Sequence, residues 1–214
     1  MKPEVFIQNG KDLIRKSCDY KEKEEKGMIE GKYIQIIANH QKFDERYGQF
    51  SKLEDKGMEE LTLFFEKPII ELEHAQKFLV SLLDFPIYMH LEVFDFDLES
   101  LESLFISHDG KYAIQKLKSD TYHFEAKIEC PELFLEMLEY MTAYAGYGRL
   151  NFYTNCNTCF NSEIINKEIQ FNLLDSSKFV LVIIKYDGNV LRIVSGKSKL
   201  EEIKKQLKQL HNDE

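Results

Sequence analysis

Long apolar runs are absent from this 214-residue chain; the longest, Phe179–Ile184, covers six residues. A membrane-spanning helix needs about 20, and the first ten residues hold no apolar run long enough for a secretory signal. Cysteine is scarce as well. Four cysteines are too few for a disulfide scaffold. With no export signal they are expected as reduced thiols in a cytosol. Basic residues are outnumbered, 28 against 37 acids, for a net charge of −9. Catalytic signatures are missing too. No GxSxG, Walker A, GxGxxG or kinase pattern occurs, and no two histidines stand at HxH, HxxxH or HExxH spacing. The common hydrolase, nucleotide-binding and zinc-protease classes are thereby removed.

What is present is core-forming material. Hydrophobic residues make up 43% of the chain, with 16 Phe and 11 Tyr, enough to build a core without a metal or cross-links. The length suits one large domain or two small ones. The expectation is a single compact α+β unit, with an N-terminal segment 1–58 and two sub-units, 59–120 and 121–214. Lysine outnumbers arginine 24 to 4, which resembles coding from an AT-rich bacterial or phage genome.

Apolar periodicity places the elements. Val5–Ile7 is a short apolar stretch, a helix is expected from about Lys11, and Tyr33–Ala38 reads as a strand. His40–Gly57 reads as a polar loop. Glu60–Glu66 is a strand, Ile70–Leu83 an amphipathic helix, and Ile87–Phe94 alternates with strand period. Asp109-Gly110 signals a hairpin between Leu104–Ser107 and Lys111–Leu117. Tyr122–Glu129 is a strand. Pro131 suits the first position of a helix carrying Phe134, Met137, Leu138 and Met141, ended by Gly146 or Gly148. Arg149–Tyr153 and Lys167–Leu173 follow as strands. A second hairpin turns at Asp187-Gly188. Ser198–Glu201 has the pattern of a capping box opening a last helix. Both halves then read strand, helix, strand, hairpin. The fold class expected is α+β, with helices on one face of an antiparallel sheet and two pseudo-repeats.

Charge is concentrated. Residues 54–109 hold 14 acids against Lys56, Lys67 and Lys77, and Phe78–Gly110 holds no base. Such a band repels a phosphate backbone and an anionic membrane surface, so nucleic acid and membranes are not expected partners. A basic protein fits the field. Within the band, Asp95, Asp97, Glu99 and Glu102 alternate with Phe and Leu, as at a strand end or loop with one buried side. Tyr140, Tyr144 and Tyr147 cluster near Gly146 and Gly148 and are candidate exposed anchors of the same interface.

Cys156-Asn157-Thr158-Cys159 is the one motif with a known chemistry, zinc binding or dithiol cycling. A zinc site needs two further ligands, of which His123 is a candidate. No other cofactor is expected. The leading functional expectation is a cytoplasmic immunity, inhibitor or regulatory protein that engages a basic partner. The alternatives are an enzyme or metal/redox protein using Cys156 and Cys159, and a small-molecule sensor.

Overall fold

A computed structural model of the chain describes residues 29–30, 34–37, 50–51, 57–65, 67–82, 84–175 and 179–212. Val5–Ile7, the helix expected from Lys11 and most of His40–Gly57 lie outside the described residues. In chain order the elements are β1 (Ile29–Glu30), β2 (Ile34–Ile37), β3 (Phe50–Ser51) and β4 (Met58–Phe65), then α1 (Glu73–Leu82) and β5 (Ile87–Phe94). Next come α2 (Asp95–Ser107), β6 (Lys111–Lys116), β7 (Thr121–Ile128), α3 (Pro131–Gly146) and β8 (Asn151–Thr154). The chain closes with β9 (Phe160–Ile165), β10 (Glu168–Leu173), β11 (Val180–Lys185), β12 (Val190–Gly196) and α4 (Lys197–Asn212). No described helix is long and apolar enough to cross a membrane.

Seven antiparallel strands, in the order β4-β12-β11-β8-β5-β7-β6, form the main sheet, and the short β2 and β1 extend it beyond β4. Strand alternation decides the layers. On β5, Met89, Leu91 and Val93 point to one face, together with Leu61 and Leu63 of β4 and Val182 and Ile184 of β11. The buried side chains of α1, α2, α3 and α4 meet them there, so the four described helices cover one face. The opposite face carries Phe152, Leu181 and Ile183, and is roofed by Phe160, Ile169 and Phe171 of the β9–β10 hairpin. The fold is α+β, as the sequence predicts. Its middle has three layers: helices, main sheet and hairpin.

Several local expectations change. Asp109-Gly110 does not close a hairpin, because Leu104–Ser107 is the last turn of α2. The Gly110 N–H donates to the Phe105 carbonyl at 2.7 Å and the Asp109 N–H to that of Ile106 at 3.1 Å. Asp109 sits at φ 52°. That is a helix C-terminal cap of Schellman type, which draws on the same left-handed preference as a type I′ turn. The first half therefore has a helix where the second half has a strand, and the pseudo-repeat is not confirmed. Asp187-Gly188 does lie in a hairpin, β11–β12, but the left-handed region begins one residue earlier, at Tyr186. Helix α4 starts at Lys197, so Ser198 lies inside its first turn and is not its N-cap.

Candidate functional site

The acid-rich stretch is helix α2, not a strand end or loop. Phe94, Phe96 and Leu98 imitate strand alternation, but Leu98, Leu101 and Phe105 continue at helical spacing, and Leu101 and Phe105 are buried. Asp95 and Asp97 fall in the first turn, where carboxylates oppose the positive end of the helix dipole. The residue that breaks the helical pattern is Phe96, which is 74% exposed.

Helix α3 runs beside α2 in the opposite direction, and side chains clasp both ends. The Tyr144 hydroxyl donates to Asp97 Oδ2 at 2.5 Å and accepts the Phe94 N–H at 3.2 Å. At the other end, His108 Nε2 lies 3.3 Å from Glu136 Oε1. Tyr144 is therefore not an exposed anchor; it is buried and bridges two helices. Burial, and next the hydrogen bond to Asp97, push its hydroxyl pKa well up. Tyr140 is half-buried against the core. Tyr147 is the exposed member of the three, at 65%. Tyr144→Phe strips Asp97 and the Phe94 N–H of a shared partner and should destabilise the fold by about 1–3 kcal/mol. Urea unfolding of the two proteins checks this, and an unchanged midpoint would contradict the bridging role.

The clasp gathers aromatic rings at its Tyr144 end, beside the acidic helices. Phe94 stacks on Phe96 with centroids 5.3 Å apart and meets the edge of Tyr147 at 5.8 Å. The Arg149 guanidinium lies 4.6 Å from the Phe94 centroid and donates to Glu92 at 2.7 Å. Asp95 and Glu99 are exposed, while Glu102 is half-buried and accepts the Tyr112 hydroxyl at 3.2 Å. Helix α3 adds Glu132, Glu136 and Glu139, all exposed. The two helices thus carry seven acids and no Lys or Arg. Ile106 and Leu135 join Phe96 and Tyr147 as exposed large apolar side chains on these helices and their caps.

Sequence reasoning missed Phe96 and the three α3 acids. The glutamates lie outside the acidic band and become its neighbours only because α3 returns alongside α2. Their one legible signal was the lack of any base between Cys130 and Gly148.

The cysteine pair differs from the expectation of reduced thiols. Cys156 and Cys159 are joined in a disulfide, not held as free thiols, because the single 3-10 turn Asn157–Cys159 brings the ends of the motif together. While the bond is closed, neither sulfur is a thiolate. His123 is engaged with His90 at 3.1 Å, and no group of three metal-ligating side chains occurs among the described residues. Beside Arg149 a cleft of about 220 Å³ lies between the main sheet and the hairpin, lined by Glu92, Lys118, Lys167 and Glu168 among others. Its charges include the pairs Arg149–Glu92 and Lys118–Glu168.

No family model, curated protein or solved structure matches this chain.

Proposed function

We propose that this protein is a binding module for a basic protein, docking through the paired helices α2 and α3. The observation that carries the reading is the helix pair itself: seven acids and no Lys or Arg on α2 and α3, with Arg149 beside them already paired to Glu92, and with Phe96, Ile106, Leu135 and Tyr147 exposed. Acids of one sign speed encounter with a cationic partner and reject acidic ones. Aromatic and aliphatic side chains supply the desolvated contacts that hold a complex once formed. A second copy of the chain would set seven acids against seven, so like-charge repulsion opposes self-association through this face. The sharpest form of the reading is an inhibitor or immunity protein that occupies the cationic substrate surface of a nucleic-acid-cleaving enzyme.

The test begins with capture of basic proteins from the native extract, followed by titration of the captured protein at low and high salt. The discriminating variant combines Phe96→Ala, Glu99→Lys and Glu139→Lys. Asp97 and Glu102 are left intact because Tyr144 and Tyr112 bond to them. Affinity should fall steeply with salt. The variant should bind about 100-fold more weakly, as expected when interface hot spots are lost, with an unchanged circular dichroism spectrum. Equal affinity of the variant, or indifference to salt, would overturn the reading.

A further inference from the structure

We propose that Cys156–Cys159 is a thiol–disulfide exchange site, opened at Cys156 by a small thiol of the glutathione class or by a protein dithiol. The site is independent of the helical docking surface and does not rest on that reading.

Three observations support it. The first is how little the bond contributes to holding the fold. It joins residues three apart, and closing so short a loop removes little chain entropy from the unfolded state. A structural disulfide would be expected to tie distant segments together.

The second is that the turn is held by contacts that do not need the bond. Asn157 Nδ2 donates to Glu125 Oε1 of β7 at 3.1 Å, and the Cys156 N–H donates to Thr154 Oγ1 at 3.3 Å. The Cys159 carbonyl accepts the N–H groups of Leu174 and Asp175, at 2.7 and 3.1 Å, where the chain leaves β10. With the bond open, these contacts keep the two thiols facing each other, so that closing it again is an intramolecular step at high effective concentration.

The third is asymmetry. Cys159 is 5% exposed and belongs to the apolar cluster under the hairpin. Cys156 packs against the edge of the same cluster but is only half-buried, and its sulfur contacts the exposed Thr158 hydroxyl at 3.6 Å. An incoming thiolate reaches Cys156 first, and the Thr158 hydroxyl is placed to donate to the Cys156 thiolate when it is later released.

The reaction balances in two steps. A thiolate RS⁻ attacks Cys156 Sγ, forming an R–S–S–Cys156 bond. The electron pair of the Cys156–Cys159 bond goes to Cys159 Sγ, which takes a proton from solvent. A second RS⁻ then attacks the R-side sulfur, giving RSSR and releasing Cys156 as a thiolate. Two thiols are oxidised to one disulfide while the protein disulfide is reduced to a dithiol.

The experiment uses the full chain in mixtures of reduced and oxidised glutathione, quenched with acid and mapped by peptide mass. In the wild type, the trapped mixed disulfide should sit on Cys156 and be absent from Cys159. Cys130, half-buried, is an internal reference on the same peptide map. Among single variants, Cys159→Ser should form its mixed disulfide with oxidised glutathione about tenfold faster than Cys156→Ser, because access governs thiol reactivity. If either variant misfolds, the wild-type map alone decides. Glutathione found on Cys159, equal rates in two folded variants, or a bond that glutathione opens only in denaturant would each overturn the proposal.

Discussion

Phe105→Ala should cost about 3–5 kcal/mol of unfolding free energy, the range for removing a fully buried aromatic ring. The effect should concentrate on the acidic helix. Only Leu101 and Phe105 of α2 are buried, whereas α3 buries eight side chains. Phe105 is wholly inaccessible, with its ring 5.3 Å from that of Phe124 on β7 and 6.0 Å from that of Tyr112 on β6. Gly110 completes the socket, since a Cβ there would stand 2.7 Å from the Phe105 ring. Hydrogen exchange should show the amides of α2 losing protection before those of α3 in the variant. Uniform loss of protection across both helices, or a cost under about 1 kcal/mol, would mean that α2 is held by something other than this anchor. Because α2 supplies four of the seven docking acids, the same variant should weaken partner binding.

Lowering the pH from 7 to 4.5 should remove on the order of a few kcal/mol of stability through one buried pair, His90 and His123. They stand on the hairpin-covered face of β5 and β7, with His90 Nδ1 3.1 Å from His123 Nε2. Rings of Phe152, Phe160 and Phe171 enclose His90. Burial lowers the pKa of His123 to about 4 and that of His90 well below its ordinary 6.5. Protonating both would also set two N–H donors against each other, and His90 Nε2 is buried with no hydrogen-bond partner among the described residues. The carboxylates sharing this face are Glu125, across from His90, and Glu92, across from His123. They are engaged by Asn157 and Arg149 respectively.

The sign follows from proton counting. Unfolded histidines titrate near 6.5, so between about pH 6.5 and 4 the unfolded chain binds more protons than the native one. Stability is complete above 6.5 and is lost as the pH falls toward 4. At 1.36 kcal/mol per pKa unit, the His123 shift alone is worth on the order of 3 kcal/mol. Urea unfolding at pH 7 and 4.5 measures the loss, and the double variant His90→Leu/His123→Leu should lose distinctly less over the same interval. Equal losses in both proteins would show that the pair is not the linked group.

Elements whose signals lie within a few residues of one another were legible from the sequence. The alternation of Ile87–Phe94, the stripe Phe134-Met137-Leu138-Met141 and Pro131 at a helix start name their structures because each pattern is local. The excess of acid over base was equally visible. Asp109-Gly110 was legible only in part. It declares a left-handed backbone, but the same dihedral serves a hairpin turn or a helix cap, and the burial of Leu101 and Phe105 decides between them.

Pairings across long separations were left to the tertiary structure. Tyr144 reads as an exposed anchor until Asp97, 47 residues away, receives its hydroxyl. His90 and His123, 33 residues apart, become a pair only through the register of β5 and β7 under the hairpin. The acids of α2 and α3 are brought near one another because Tyr144 meets Asp97 and His108 meets Glu136 across the two helices. Local periodicity tells a side chain which face of its own element it occupies. What covers that face, and whether a charge there meets water, a partner or another charge, depends on how the layers stack.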